Sequence, residues 1–272
     1  MLERSSMSEI HPTAVVERGA EIGVGVRIGP YCVIGPEVRI GDNCVLHSHV
    51  VVAGATSIGA DCQIYPFASL GHPPQHFKYG GEKNRLVIGE RNIIREHVTM
   101  NPGTEPEERV TRVGSDSMYM IASHVAHDCV VGDHVVFANN ATIGGHCTVG
   151  DHVIIGGLAA VHQMCRVGRC AIIGGVSGVV NDVIPYGMVV GDRARLGGLN
   201  VIGLKRRGFS REEIHTMRKA YNILFAEDGS FADRLEQVAS TFADSAPVQE
   251  IVAFVRAPSQ RNLCPPRRSA EG

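Results

Sequence analysis

The sequence predicts an all-β left-handed parallel β-helix, a hexapeptide-repeat solenoid, closed by a small α-helical C-terminal domain. Three observations predict it. Aliphatic residues recur every six positions: Ile10, Val16, Ile22, Ile28, Ile34, Ile40 and on to Leu70, then Ile88, Ile94 and Met100, then Val113 through to Val179. Of these 26 positions, 14 are followed directly by glycine. The residue two before each aliphatic is mostly small, as at Ala14, Cys32, Cys44, Thr56, Ser123, Ala141 and Cys147. A period of six marks a solenoid, whereas an amphipathic helix needs apolar spacings of three and four. Six residues make one short strand and a corner, and three such units make a triangular coil. The aliphatic points into the prism, the small residue fits where two walls converge, and glycine tolerates the corner's backbone angles. Residues one coil apart in the chain then lie about 4.8 Å apart along the axis, and about nine coils give a prism on the order of 40 Å long.

In chain order, a polar leader at Met1–Ser8 (with Met7 as a second possible start) precedes a prism spanning 9–204. Two insertions interrupt it, near 72–87 and 102–112. The first carries HPPQHFKYGGEKNR and reads equally as a solvated loop or as a flap over a substrate or a neighbouring subunit. Ser210 with Glu213 three residues on is a capping box, which opens a helix running to about Phe225. Further helical stretches run from about Ser230 to Phe242 and from about Ser245 to Arg256, giving a helical domain over 205–257. From 258 to 272 prolines and arginines without periodicity suggest a flexible tail.

Composition narrows the function. The 272 residues carry a net charge of −2, which argues against a nucleic-acid binder. There is no apolar run long enough to span a bilayer and no secretory h-region, so a cytoplasmic location is expected. Six of the eight cysteines (Cys32, Cys44, Cys62, Cys129, Cys147 and Cys165) occupy the small inward position, where a thiol acts as an apolar filler. No Cys-x-x-Cys pair exists, so neither zinc nor a disulfide is expected.

Coil stacking gathers histidines on one edge. His127 lies one coil before Gly145, which lies one coil before Gln163, and Asp128 lies one coil before His146. His124 and His162 fall nearby. In the hexad frame His124 and His127 are at neither inward position, so they point outward. Three uses fit such a cluster: a zinc site with converging nitrogen ligands, a general base held by a carboxylate, or a polar surface without function. Gly145 is either a corner or a backbone N–H aimed at a developing oxyanion. Lys205, Arg206, Arg207, Arg211, Arg218 and Lys219 form a basic stretch, read as a solvated face or as a dock for anionic partners.

The runs IASHVAHDCVVGD (121–133), NNATIGGH (139–146), GGLAAVHQMCRVG (156–168) and GLKRRGFSREEI (203–214) closely resemble the acyl-ACP–UDP-N-acetylglucosamine O-acyltransferases of lipid A biosynthesis, as do HPTAVVE (11–17) and PQHFKY (74–79). The resemblance covers essentially the whole chain. It implies transfer of an (R)-3-hydroxyacyl group from acyl carrier protein to the 3-hydroxyl of UDP-N-acetylglucosamine, in a homotrimer with sites between prisms, without metal or organic cofactor. It maps the general base onto His127, its orienting acid onto Asp128, and the oxyanion donor onto Gly145. Substrate contacts map onto Gln75, His76, Lys78, His124, His146, His162 and Gln163, and nucleotide contacts onto Asn200, Arg206 and Arg207. Gly175 matches a position that limits acyl length, and glycine there implies room for a longer chain. His76 stands where the family commonly has aspartate, and Ile202 where it has glutamate, so a 3-amino acceptor giving an amide stays open. A zinc hexapeptide enzyme of carbonic-anhydrase type has four residues between its histidines rather than the two between His124 and His127; it, the related N-acyltransferase acting later in the pathway, which carries a large domain before its solenoid where this repeat starts at Ile10, and a non-catalytic scaffold are the remaining alternatives.

Overall fold

The computed structural model describes residues 7–104 and 109–267. Short strands, mostly of two residues, the first at Glu9–Ile10 and the last of the series at Gly178–Val179, recur with the hexad and stack in parallel into three sheets, which with the two later strands Gly187–Val190 and Arg195–Leu199 number 11, 9 and 8 strands. This is a left-handed parallel β-helix. The register follows the repeat: Ile10 pairs with Ile28, Val16 with Ile34 and Ile22 with Ile40. Each aliphatic faces the axis, and from Ile28 to Val179 these positions are buried. All six cysteines at the small inward position are fully buried, and the thiols of Cys32, Cys44, Cys62, Cys129 and Cys147 donate to carbonyls of the adjoining coil, as Cys32 Sγ does to the His47 carbonyl at 2.8 Å. Burial pushes the Cys165 thiol up to about 12, so it packs as a neutral apolar group.

The glycines that follow the aliphatics serve a different purpose from the one expected. The left-handed corner conformation falls on other residues, among them His49 (φ 60°), Asp128 (φ 58°), His146 (φ 60°) and even β-branched Val176 (φ 57°). Most of the post-aliphatic glycines lack a side chain because the next coil is too close; of them only Gly71 has left-handed backbone (φ 82°). A Cβ on Gly144 would sit 2.7 Å from the Gln163 nitrogen, and one on Gly156 would sit 2.5 Å from the Gly175 nitrogen.

Both insertions leave the same corner of the prism. The first separates strand Ser69–Leu70 from Arg85–Ile88, and the second separates Thr99–Met100 from Val110–Val113. The ladder passes across them in register, Ile58 pairing with Ile88 and Ile88 with Val113. Strand structure resumes at Arg85 and Val110, slightly earlier than the sequence implies; residues 105–108 of the second insertion lie outside the described residues.

At the C-terminal end, Gly187–Val190 is the last parallel strand, and Arg195–Leu199 turns back antiparallel to it. Four helices follow: α1 (Val201–Arg206), α2 (Arg211–Leu224), α3 (Phe231–Thr241) and α4 (Ala246–Arg256). The sequence reading did not single out α1. Buried Arg169-facing Tyr186 joins α4 to the last coil: its hydroxyl bonds Glu250, and Arg169 Nη2 lies 3.1 Å from the same carboxylate.

Up to residue 267 the segment expected to be a flexible tail makes backbone hydrogen bonds to the last coil. Asp182 N donates to the Asn262 carbonyl (2.8 Å), Cys264 N to the Asp182 carbonyl (2.7 Å) and Leu196 N to the Pro265 carbonyl (2.9 Å). Cys264 is buried. The chain returns because the last coil leaves open backbone groups at Asp182 and Leu196, and an extended proline-containing segment satisfies them. Residues 268–272 lie outside the described residues.

Candidate active site

His127 and Asp128 occupy the corner between strands His124–Val125 and Val130–Val131, which is the corner the insertions leave one and two coils earlier. The left-handed backbone at Asp128 and at His146, one coil further on, turns both side chains along this edge. His127 Nδ1 lies 2.8 Å from Asp128 Oδ2. A carboxylate only accepts, so the ring proton sits on Nδ1 and the Nε2 lone pair faces away from Asp128. Although the ring leaves the prism wall, His127 is only 8 % exposed. The rings of His76 and His146 pack edge-on against it, with centroids at 5.0 and 5.1 Å.

The second insertion holds the acid. Thr104 N donates to Asp128 Oδ1 at 2.7 Å, and Thr104 Oγ1 donates to Oδ2 at 2.6 Å. From the wall below, Asp128 N donates to buried Thr111 Oγ1 at 2.8 Å. Sequence reasoning missed both threonines; a hydroxyl just after the Asn-Pro-Gly turn at 101–103 was the only trace of Thr104.

Gly145 lies against the imidazole. A Cβ there would fall 2.5 Å from His127 Cε1, so only glycine lets the ring lie flat over this backbone. The buried Gly145 N–H donates to no partner among the described residues. His146 Nε2 stands 3.8 Å from Asp128 Oδ2. His127, Asp128 and His146 therefore offer ligand atoms within 4.8 Å of one another, a spacing that three ligands of one ion could also share.

The other expected contacts divide. His124 is largely covered, with Nδ1 2.7 Å from Thr99 Oγ1, and burial pushes its pKa down. His162 and Gln163 sit one coil beyond Gly145 and are exposed, with Arg261 of the tail against them. Gln75, His76 and Lys78 are exposed on the first insertion, and of these His76 reaches the cluster. Gly175 is exposed on another corner, 3.3 Å from the Gly157 carbonyl when given a Cβ. Asn200 is buried and caps α1: Oδ1 accepts from Gly203 N at 3.0 Å, and Nδ2 donates to the Cys170 carbonyl. Arg207 donates to the Gly203 and His152 carbonyls. Asn200 and Arg207 thus stand near a different corner from His127 within one chain. Arg206 is exposed, with Lys205, Arg211, Arg218 and Lys219.

The pattern described as Udp N-acetylglucosamine O-acyltransferase, Domain 2, matches residues 182–264, and a bacterial transferase hexapeptide pattern matches 19–54. Over 259 residues, 95% of this chain and 98% of the other, the sequence is 56% identical to the acyl-[acyl-carrier-protein]–UDP-N-acetylglucosamine O-acyltransferase of Caulobacter vibrioides. This chain belongs to that acyltransferase family. The solved UDP-N-acetylglucosamine O-acyltransferase of Moraxella catarrhalis superposes with a TM-score of 0.91 at 40% identity, over 94% of this chain and 99% of that one. That of Francisella novicida gives 0.92 at 35% identity, over 96% and 95%. Membership of the acyltransferase family favours the hydrogen-bonded base over the metalloenzyme weighed from the sequence. Among the described residues no helix is long and apolar enough to cross a membrane.

Proposed function

We propose that this chain moves a 3-hydroxyacyl group from acyl carrier protein to the 3-hydroxyl of UDP-N-acetylglucosamine, the opening step of lipid A biosynthesis. The observation that carries the reading is the His127–Asp128 hydrogen bond lying over the Gly145 backbone. A sugar hydroxyl is a poor nucleophile at neutral pH. His127 Nε2 takes its proton as the oxygen attacks the thioester carbonyl, and Asp128 stabilises the imidazolium that forms. The carbonyl oxygen becomes negative beside the Gly145 N–H, which donates to it. When the tetrahedral intermediate collapses, the C–S bond breaks and the thiolate takes the proton back from Nε2. General-base help contributes roughly 10²–10⁴ in rate, and one oxyanion donor roughly 10²–10³ more.

Gln75, Lys78, His124, His146, His162 and Gln163 are assigned to substrate contact, and Asn200, Arg206 and Arg207 to the nucleotide. The assignment calls for a homotrimer, in which a site between prisms would bring the Arg206–Arg207 corner of one copy to the His127 edge of the next. Exposed Lys205, Arg206, Arg211, Arg218 and Lys219 suit docking of an acidic carrier protein. Side-chain-free Gly175 leaves space for a long acyl chain. The cytoplasm, where both substrates would be met, is the assigned location. The test is to incubate the purified protein with UDP-N-acetylglucosamine and 3-hydroxyacyl carrier proteins of several lengths, and to weigh the product. Wild-type protein is expected to give an ester. His127→Ala, still trimeric by sedimentation, is expected to lose at least about 10²-fold in kcat. Undiminished transfer by His127→Ala, or no acylated sugar from the wild-type protein, would rule the reading out.

A further inference from the structure

The edge that carries His127 is extended at its far end by the tail. Along this corner the coils place the two insertions, then His127–Asp128, then Gly145–His146, then His162 to Met164, then Asp182. On Asp182 the tail adds itself as one more rung, through the Asp182–Leu263 bridge and the Asn262 and Cys264 backbone bonds. Arg261 immediately precedes this anchored stretch. Its Nη2 lies 2.6 Å from His162 Nδ1, and its Nε donates to the Gln163 carbonyl at 3.2 Å. Two hydrogen bonds from one planar fork fix the guanidinium's orientation.

The chemistry of this contact is asymmetric. Arginine stays protonated and has no acceptor, so His162 Nδ1 must be the acceptor, and a neutral ring then carries its proton on Nε2. The Gln163 carbonyl also lies 3.3 Å from His162 Nδ1, but the 2.6 Å Arg261 contact is the shorter one and takes the Nδ1 lone pair, so that carbonyl accepts from Arg261 Nε. The remaining Arg261 N–H groups have no partner among the described residues. The pair therefore presents an Nε2–H donor and a fixed cation about two coil steps, roughly 10 Å, from His127. A phosphate oxygen is the group that such a combination recognises.

We propose that Arg261 is a positioning residue of the site: it locks His162 as an Nε2–H donor and sets a guanidinium beside it to receive a substrate phosphate. That phosphate belongs either to the sugar nucleotide or to the phosphodiester of the carrier's prosthetic arm. The inference deepens the acyl-transfer reading and rests on it for the identity of the substrate, but its tautomer claim does not.

The test uses the full-length protein with ring-¹⁵N histidine, the His162 signals being assigned by their loss in His162→Gln. Two-bond ¹H–¹⁵N spectra are expected to show His162 as the Nε2–H tautomer in the wild type and as a mixture in Arg261→Gln. Steady-state kinetics on Arg261→Gln are expected to raise KM for one substrate about tenfold to a hundredfold, the loss of one charge-assisted hydrogen bond, with kcat changed less than about threefold. Whether KM rises for UDP-N-acetylglucosamine or for the acyl carrier protein identifies the phosphate. Arg261→Lys keeps the charge without the two-point fork and is expected to fall between. An unchanged His162 tautomer in Arg261→Gln, or unchanged KM for both substrates, overturns the proposal. If the wild-type protein transfers no acyl group, the acyl-transfer reading fails, and the spectrum alone still decides the tautomer claim.

Discussion

Asp128 is one carboxylate with its acceptor sites filled from two directions: His127 on one side and the Thr104 hydroxyl and amide on the other. Replacing Thr104 by valine removes the hydroxyl while keeping shape and the backbone bond. Loss of a hydrogen bond to a charged group is worth about 1.5–3 kcal/mol, so kcat is expected to fall roughly tenfold to a hundredfold with little change in KM, and Thr104→Ser is expected to restore most of it. A valine variant with wild-type kcat would show that Thr104 is packing alone. His124 makes a pH prediction. Burial holds its pKa below the ordinary histidine value near 6.5, so between the depressed pKa and about 6.5 the unfolded chain binds the extra proton and the folded one does not. The stability this represents is complete above about pH 6.5 and is lost as pH falls through the folded value. Denaturant unfolding at pH 7.5 and 5.5 checks it: His124→Gln is expected to lose less stability on acidification than the wild type. At this scale the sequence showed His127, Asp128, Gly145 and His146, because equal chain spacing makes them neighbours. Thr104 and Arg261 were not legible, since each arrives through an unpatterned segment whose path depends on contacts made after folding.

Among elements, the prism strands and the three longer helices were readable for opposite reasons. The strands are two residues long and carry no individual signal, yet each copies the last, so the period accumulates. The helices do not repeat, but α2 declares its start: Ser210 Oγ accepts from Glu213 N at 3.1 Å while Glu213 Oε2 accepts from Ser210 N at 2.8 Å. Ser210→Ala is expected to cost about 1 kcal/mol, read as a lower Tm with kcat unchanged; an unaltered Tm would place the helix's stability wholly in its buried face of Ile214, Met217, Ala220 and Leu224. Six-residue α1 is too short for an apolar period, and its cap, Asn200, reads in sequence like any polar loop residue. The glycine rule was legible as a pattern while its cause was not: backbone crowding between coils is a property of the stack, invisible in any single hexad.

The whole molecule is a column with unlike ends. A β-solenoid grows by adding strands, and its ends are edges where further strands of any origin can pair. Here the C-terminal rim turns antiparallel at Arg195–Leu199, and the outer edge of that strand is taken by the tail at Pro265 and Arg267. At the other rim, Glu9–Ile10 and Val15–Val16 begin their sheets, with Ile10 and Val15 about half exposed. Head-to-tail stacking, the arrangement that would let such columns run on into a filament, meets, among the described residues, a last strand of the 11-stranded sheet whose outer edge is already taken. Two columns meeting at their N-terminal rims would use up both open edges, and growth would stop at a pair.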